Sequence, residues 1–198
     1  MASKLKTAKK DRIVPLPQFP DILIALDLLD PDSNQPRFHW MFYVHDPASN
    51  ASASDTAAGF ESTAIPREGT KFHAVNDYGR GAWHFDCIKV NLIDSMSVAA
   101  AAVIGSITDR DVDRFRRVLA EIPMTVPDID EEKEPKFSCR VWIREALRRL
   151  HREGYIECPD VGAMEDEMRE YGRDAAKAVS DESFSIATLY TAVHSKSK

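Results

Sequence analysis

From residue 21 to residue 44, apolar runs alternate with turn chemistry. Ile22, Leu23, Ile24, Leu26, Leu28 and Leu29 form a nearly continuous apolar run that suits a buried strand or a short helix, and periodicity does not separate the two. Asp30-Pro31-Asp32-Ser33-Asn34 reads as a turn, and Phe38 to Val44, rich in aromatic and β-branched residues, predicts a strand. Side chains alternate across a strand, so His39, Met41 and Tyr43 share one face and Trp40, Phe42 and Val44 the other. Lys71 to Val75 and Ala82 to Leu92 predict two more strands, folded into a hairpin at Asn76-Asp77-Tyr78-Gly79. Ser97 to Gly105 is small and apolar, with no preference between helix and strand.

Helical spacing takes over after residue 108. Thr108 or Asp109 is a candidate cap for a helix whose stripe is Val112, Phe115, Leu119 and Ile122, ended by Pro123. Ser138 precedes a second helix from about Cys139 to Glu153, with Val141, Trp142, Ala146 and Leu150 on its apolar side and Gly154 as its stop. Met164, Met168, Tyr171 and Ala175 recur at helical spacing, and Ser183 to Val193 is expected to form a last helix. The predicted organisation is an extended or disordered arm over 1–20 and one α+β domain over 21–198. That domain carries a mobile Ala/Ser/Thr-rich loop at 47–64 and a helical extension at 161–198.

Composition narrows the function classes. The chain has 198 residues, 43% of them hydrophobic, a length and balance at which one core forms without staples. A net charge of −6, with acidic residues gathered at Asp128 to Glu134, argues against a nucleic-acid partner. No apolar run is long enough to span a membrane, and no apolar segment follows the basic start as it would in a secretory signal, so a cytoplasmic location is expected. The three cysteines, Cys87, Cys139 and Cys158, form no CxxC pair, which suggests neither a disulfide framework nor a zinc site. Neither a metal nor an organic cofactor is expected, because the histidines lack carboxylates at ligand spacing and no glycine-rich phosphate loop is present.

The chemistry lies in an ordered trio. Cys139 opens a helix, where unpaired backbone N–H groups and the positive end of the helix favour a thiolate, and Arg140 adds positive charge. His39 and His73 stand on two strand-like runs and could serve as base and orienting group for such a thiol. A buried core thiol is the plainer alternative. His84 and Asp86 share one strand face and form a second candidate pair that could take the place of His73 or act independently, against a solvent-facing polar strand side.

His39-Trp40-Met41-Phe42-Tyr43-Val44, Phe72-His73-Ala74 and Cys139-Arg140-Val141-Trp142-Ile143 together resemble the circularly permuted, papain-like NlpC/P60 superfamily, in particular its lecithin:retinol acyltransferase-like branch. The start of the Cys helix also resembles uncharacterised fungal proteins. The superfamily resemblance implies an antiparallel sheet packed on the Cys helix, with Cys139 as nucleophile, His39 as general base and His73 as the orienting residue. It also implies a cysteine-dependent hydrolase or acyltransferase that works on an amide, ester or thioester through an acyl-enzyme. The 34-residue spacing of the histidines makes the 47–64 loop an insertion relative to that pattern, and Ser138 stands where the pattern has Asn.

The expected partner is a small-molecule or peptide acyl substrate. The end of the sequence, His194-Ser195-Lys196-Ser197-Lys198, lacks the hydrophobic anchor of lipid-acting relatives, which lowers the weight on phospholipids. Two rivals stand beside the enzyme. One is a non-catalytic binding module that keeps the fold, and the other is an assembly protein that forms a homodimer through the Met164 to Ala175 stripe.

Overall fold

A computed structural model describes residues 11–30, 35–47, 67–76, 81–107 and 111–198. The elements run in chain order: β1 (Ile13–Val14), β2 (Asp21–Asp30), β3 (Arg37–His45), β4 (Gly69–Val75), β5 (His84–Val90), β6 (Val98–Ser106), α1 (Val112–Ala120), α2 (Cys139–Arg152), β7 (Ile156–Glu157), α3 (Val161–Ser180), β8 (Ala187–Thr191) and β9 (Lys196–Ser197). A short 3-10 turn at Asp128–Asp130 joins α1 to α2. Among the described residues the architecture is α+β: a seven-stranded, mostly antiparallel sheet in the order β1-β8-β6-β2-β3-β4-β5, with β7 and β9 paired apart from it.

The apolar run at 21–30 is a strand because it is central and covered on both sides. Ile22, Ile24 and Leu26 point into the core beneath the helices, while Leu23 and Ala25 join a second apolar cluster on the other face with Met41, Tyr43 and Ile13. A strand buried on both faces shows no alternation in sequence, which is why period alone could not separate it from a helix. The small-residue stretch resolves as β6, whose alanines pack on both faces between β2 and β8. Its lack of bulk suits the approach of α3, which packs over β6, and the same closeness recurs at Gly172 of α3. A Cβ built at Gly172 would stand 2.9 Å from Leu26 Cδ1 and from Phe38 Cζ, tighter than real contacts allow.

Two expectations require correction. Ser183 to Val193 does not form a helix: Ala187 and Leu189 are buried while Thr188 and Thr191 are exposed, and β8 pairs in parallel with both β6 and β1. The helical extension over 161–198 therefore ends with α3 at Ser180. Residues 1–10 of the arm lie outside the described residues, and the boundary at residue 20 moves towards the N-terminus. Ile13 is fully buried and pairs with Ala187, so residues 13 and 14 belong to the sheet. The predicted cap at Thr108 or Asp109 and, apart from Pro47, the 47–64 loop lie outside the described residues. The side chain of Asp111 caps α1, accepting the Arg114 N–H at 2.8 Å.

The acidic run at 128–134 is not simply a solvated linker. Asp130 is fully buried and accepts hydrogen bonds from Arg144 and Arg148 of α2, at 2.6 and 2.7 Å. Glu134 binds Arg140, and Glu165 of α3 binds Arg140, Arg144 and Arg169. The run therefore fastens the helical layer together around the polar side of α2.

Candidate functional site

The local sequence explains why Cys139 opens a helix. Ser138 is extended, at φ −156° and ψ 169°, and its Oγ accepts the Val141 N–H at 3.3 Å, a side-chain cap at the start of α2. The apolar side of α2 then locks the helix against β3 and β4: Trp142 is fully buried, with its ring centroid 5.9 Å from Phe42 and 5.8 Å from Phe85. Replacing Ser138 with Ala is expected to lower unfolding stability by about 1 kcal/mol, measurable as a shifted urea midpoint at unchanged slope.

The two histidines meet. His39 Nε2 lies 2.6 Å from His73 Nδ1, and His73 Nε2 lies 3.3 Å from Asp86 Oδ2. Asp86 is the direct cross-strand partner of His73 in the β4–β5 hairpin, and its Oδ1 accepts the Cys87 N–H at 2.9 Å. The sequence offers His84 and Asp86 as a pair in place of His73 or independent of it. Instead, Asp86 extends the chain that His73 begins, and His84 Nδ1 lies 3.4 Å from the carbonyl of Ala82. The sequence held no clear signal for this pairing: equidistance from the turn read at Asn76 to Gly79 sets His73 opposite Ala82, and the observed register places Asp86 there instead.

Face assignment separates the thiol from the rings. Trp40, Phe42, Phe72 and Ala74 face the helices, so alternation sends His39 and His73 to the opposite face, which they share with Lys71 and Asp27. Cys139 is half-buried on the helix side, and its sulfur lies against the backbone N–H of Trp40, the residue after His39. Among the described residues no hydrogen bond joins that sulfur to either imidazole. The β3–β4 ladder ends at Phe42 and Phe72, although β2–β3 and β4–β5 both continue. The sheet therefore forks where His39, Trp40, His73 and Ala74 stand, and the thiol reaches the fork from one side while the imidazoles line it from the other.

Electrostatics favour neutral groups. Burial pushes the Cys139 thiol up, and this outweighs the N–H groups of Trp40 and Arg140 and the Arg140 charge, all of which favour the thiolate. Arg140 is itself paired with Glu134 and Glu165, so the expected thiolate at the helix mouth does not follow. Burial, and then the charges of His73 and Lys71, bring His39 down to about 4. His73 falls to about 4 through burial and Lys71, against the pull of Asp86.

These histidine shifts have a consequence for stability. A histidine depressed in the folded state binds more protons when unfolded, so stability is complete above its ordinary value of about 6.5 and is lost as pH falls towards 4. Each histidine contributes at most about 1.4 kcal/mol per pH unit in that window. Urea unfolding at pH 7 and pH 5 is expected to show the loss, and a His39→Gln/His73→Gln variant is expected to show less of it.

Among the described residues, no helix is long and apolar enough to cross a membrane. A family model described as "Family of unknown function (DUF6540)" matches residues 26–157, a span that contains His39, His73, Asp86 and Cys139. No curated protein and no solved structure matches the chain.

Proposed function

We propose that this chain, which belongs to a family of unknown function (DUF6540), is a cysteine-dependent hydrolase or acyltransferase acting on an amide, ester or thioester. The observation that carries this reading is the position of the thiol against the Trp40 N–H, one residue from His39. The Cys139 thiol sits at the peptide unit that links His39 to Trp40, and the His39 ring is held from behind by His73 and Asp86. The α+β fold, with the Cys helix packed on antiparallel strands, supports the finer likeness to the permuted papain-like, lecithin:retinol acyltransferase-like pattern.

In this reading Cys139 is the nucleophile and His39 the general base, working through Nδ1, the ring nitrogen that His73 leaves free. As sulfur bonds to the acyl carbon, its proton passes to His39 Nδ1 and the carbonyl electron pair moves onto oxygen. The Cys139 backbone N–H, at the helix mouth, is the oxyanion donor. Collapse of the adduct expels the leaving group, which takes the proton from His39 and leaves a thioester. Water or an amine then attacks with His39 again accepting a proton, and return of that proton to sulfur frees the thiol.

Because thiol and imidazole both rest neutral, the proton moves during attack and no ion pair exists beforehand. Hydrolysis of p-nitrophenyl acetate and octanoate is expected to show kcat/KM with an acid limb near 4 and a plateau from about pH 5 to 8. A limb near the ordinary thiol value of about 8.5, with no activity below it, would contradict the assignment of His39. A second reading, a non-catalytic binding module, is favoured by the raised thiol and by the lack of a direct sulfur–imidazole hydrogen bond. Absence of turnover on every ester and amide probe, with the fold intact, would favour it. The substrate in the first reading is a small-molecule or peptide acyl donor, and the proposed location is cytoplasmic.

A further inference from the structure

We propose that Asp86 is a positioning residue that sets the tautomers of both imidazoles, and so leaves Nδ1 of His39 as the site that can take a proton. This inference rests on the cysteine-dependent reading above, yet it makes a statement about the histidines that can be tested without any substrate.

Three hydrogen bonds fix the chain. The Cys87 N–H donates to Asp86 Oδ1 at 2.9 Å, His73 Nε2 faces Asp86 Oδ2 at 3.3 Å, and His39 Nε2 faces His73 Nδ1 at 2.6 Å. A carboxylate only accepts, so the hydrogen between His73 and Asp86 belongs to His73 Nε2. A neutral imidazole carries one hydrogen, so His73 Nδ1 offers a lone pair to His39. The hydrogen in that 2.6 Å gap therefore belongs to His39 Nε2, and the remaining lone pair of His39 is on Nδ1. Both rings are Nε2–H tautomers, and the base position is decided two residues away.

The Cys87 N–H gives this assignment an unusual consequence. In Asp86→Asn the amide oxygen stays on the Cys87 N–H, because the opposite orientation would set two donors against each other. The amide NH2 then points at His73 Nε2, which must present a lone pair. His73 becomes the Nδ1–H tautomer and donates to His39 Nε2. His39 in turn carries its hydrogen on Nδ1, where the thiol proton has to go. The isosteric variant imposes the wrong tautomer on both rings, whereas Asp86→Ala merely stops imposing the right one. Asn is therefore the more damaging substitution, although it keeps the shape and the bond to Cys87.

The test is long-range 1H–15N correlation spectroscopy on the full chain with 15N-labelled histidine, the rings being assigned through His39→Gln and His73→Gln. The expected result is Nε2–H at both rings in the unsubstituted protein and Nδ1–H at both in Asp86→Asn. With a p-nitrophenyl ester, kcat/KM is expected to fall up to about ten-thousandfold in Asp86→Asn, the loss seen when the wrong tautomer is locked into a catalytic triad, and to fall less in Asp86→Ala. A role confined to packing would move both variants together and leave the tautomers alone. An Nδ1–H tautomer at His39 in the unsubstituted protein overturns the proposal, whether or not either variant folds, and so does an Asp86→Asn spectrum with the tautomers unchanged. If the tautomers switch as stated but no ester is turned over, the assignment of Asp86 holds and the cysteine-dependent reading falls.

Discussion

Removing the base is expected to cost most of the activity. His39→Ala should lower kcat/KM on p-nitrophenyl esters by about a hundred- to ten-thousandfold, the range that a positioned general base contributes. The effect is large here because the resting thiol is protonated. Burial holds Cys139 above the ordinary thiol range, so few molecules carry a thiolate that could react unaided. His39→Ala removes a half-buried ring and takes away the 2.6 Å partner of His73 Nδ1, so it is expected to lower stability at pH 7 by about 1–3 kcal/mol and leave the fold populated. The check is steady-state kinetics beside urea unfolding at pH 7. A variant that keeps its activity would mean that the imidazole serves the sheet and not the thiol.

The largest stability effect is expected at Asp130, in the helical layer. Its side chain is fully buried and anchors the guanidinium groups of Arg144 and Arg148, while Arg144 also meets Glu165 of α3. Burial alone would push this carboxyl up, but the hydrogen bonds from Arg148 and Arg144 outweigh that and hold it below the usual carboxylate range. Asp130→Ala leaves Arg144 with Glu165 and Arg148 with Glu145 but takes the buried acceptor from both, and is expected to destabilise by about 3–5 kcal/mol. A carboxyl held low contributes stability that is present above its unfolded value of about 4 and lost as pH falls through the folded one. The deficit of Asp130→Ala relative to the unsubstituted protein should therefore narrow in acid below about pH 4. Denaturant titrations at pH 7 and pH 3 give both quantities. A deficit that is constant across that range would mean that packing and not charge carries the effect.

The readability of this chain depended on how many faces each element buries. β3 and the β4–β5 hairpin were legible because aromatic and β-branched residues clustered between turn residues. α2 was legible to within a residue, since Ser138, the stripe through Leu150 and Gly154 all agreed. β8 was missed because five residues are too few for a period, and because its parallel partners β1 and β6 are remote in sequence. In the site, sequence could name His39, His73 and Cys139, but it assigned them roles that depend on direction. That the rings leave the sheet on the side away from α2 follows from register and packing, neither of which is local. The thiolate expected at the helix start was a local inference as well. Burial of Cys139 reverses it, and burial is a property of the whole fold.

The most direct measurement is intact-protein and peptide mass spectrometry after brief exposure to p-nitrophenyl octanoate at pH 7, in the unsubstituted chain, Cys139→Ala and His39→Ala. The expected result is a single octanoyl group on Cys139, formed at least about a hundred times more slowly in His39→Ala and absent in Cys139→Ala. An octanoyl group carried by Cys87 or Cys158 in preference, or formed on Cys139 at the same rate without His39, would contradict the assignment of nucleophile and base.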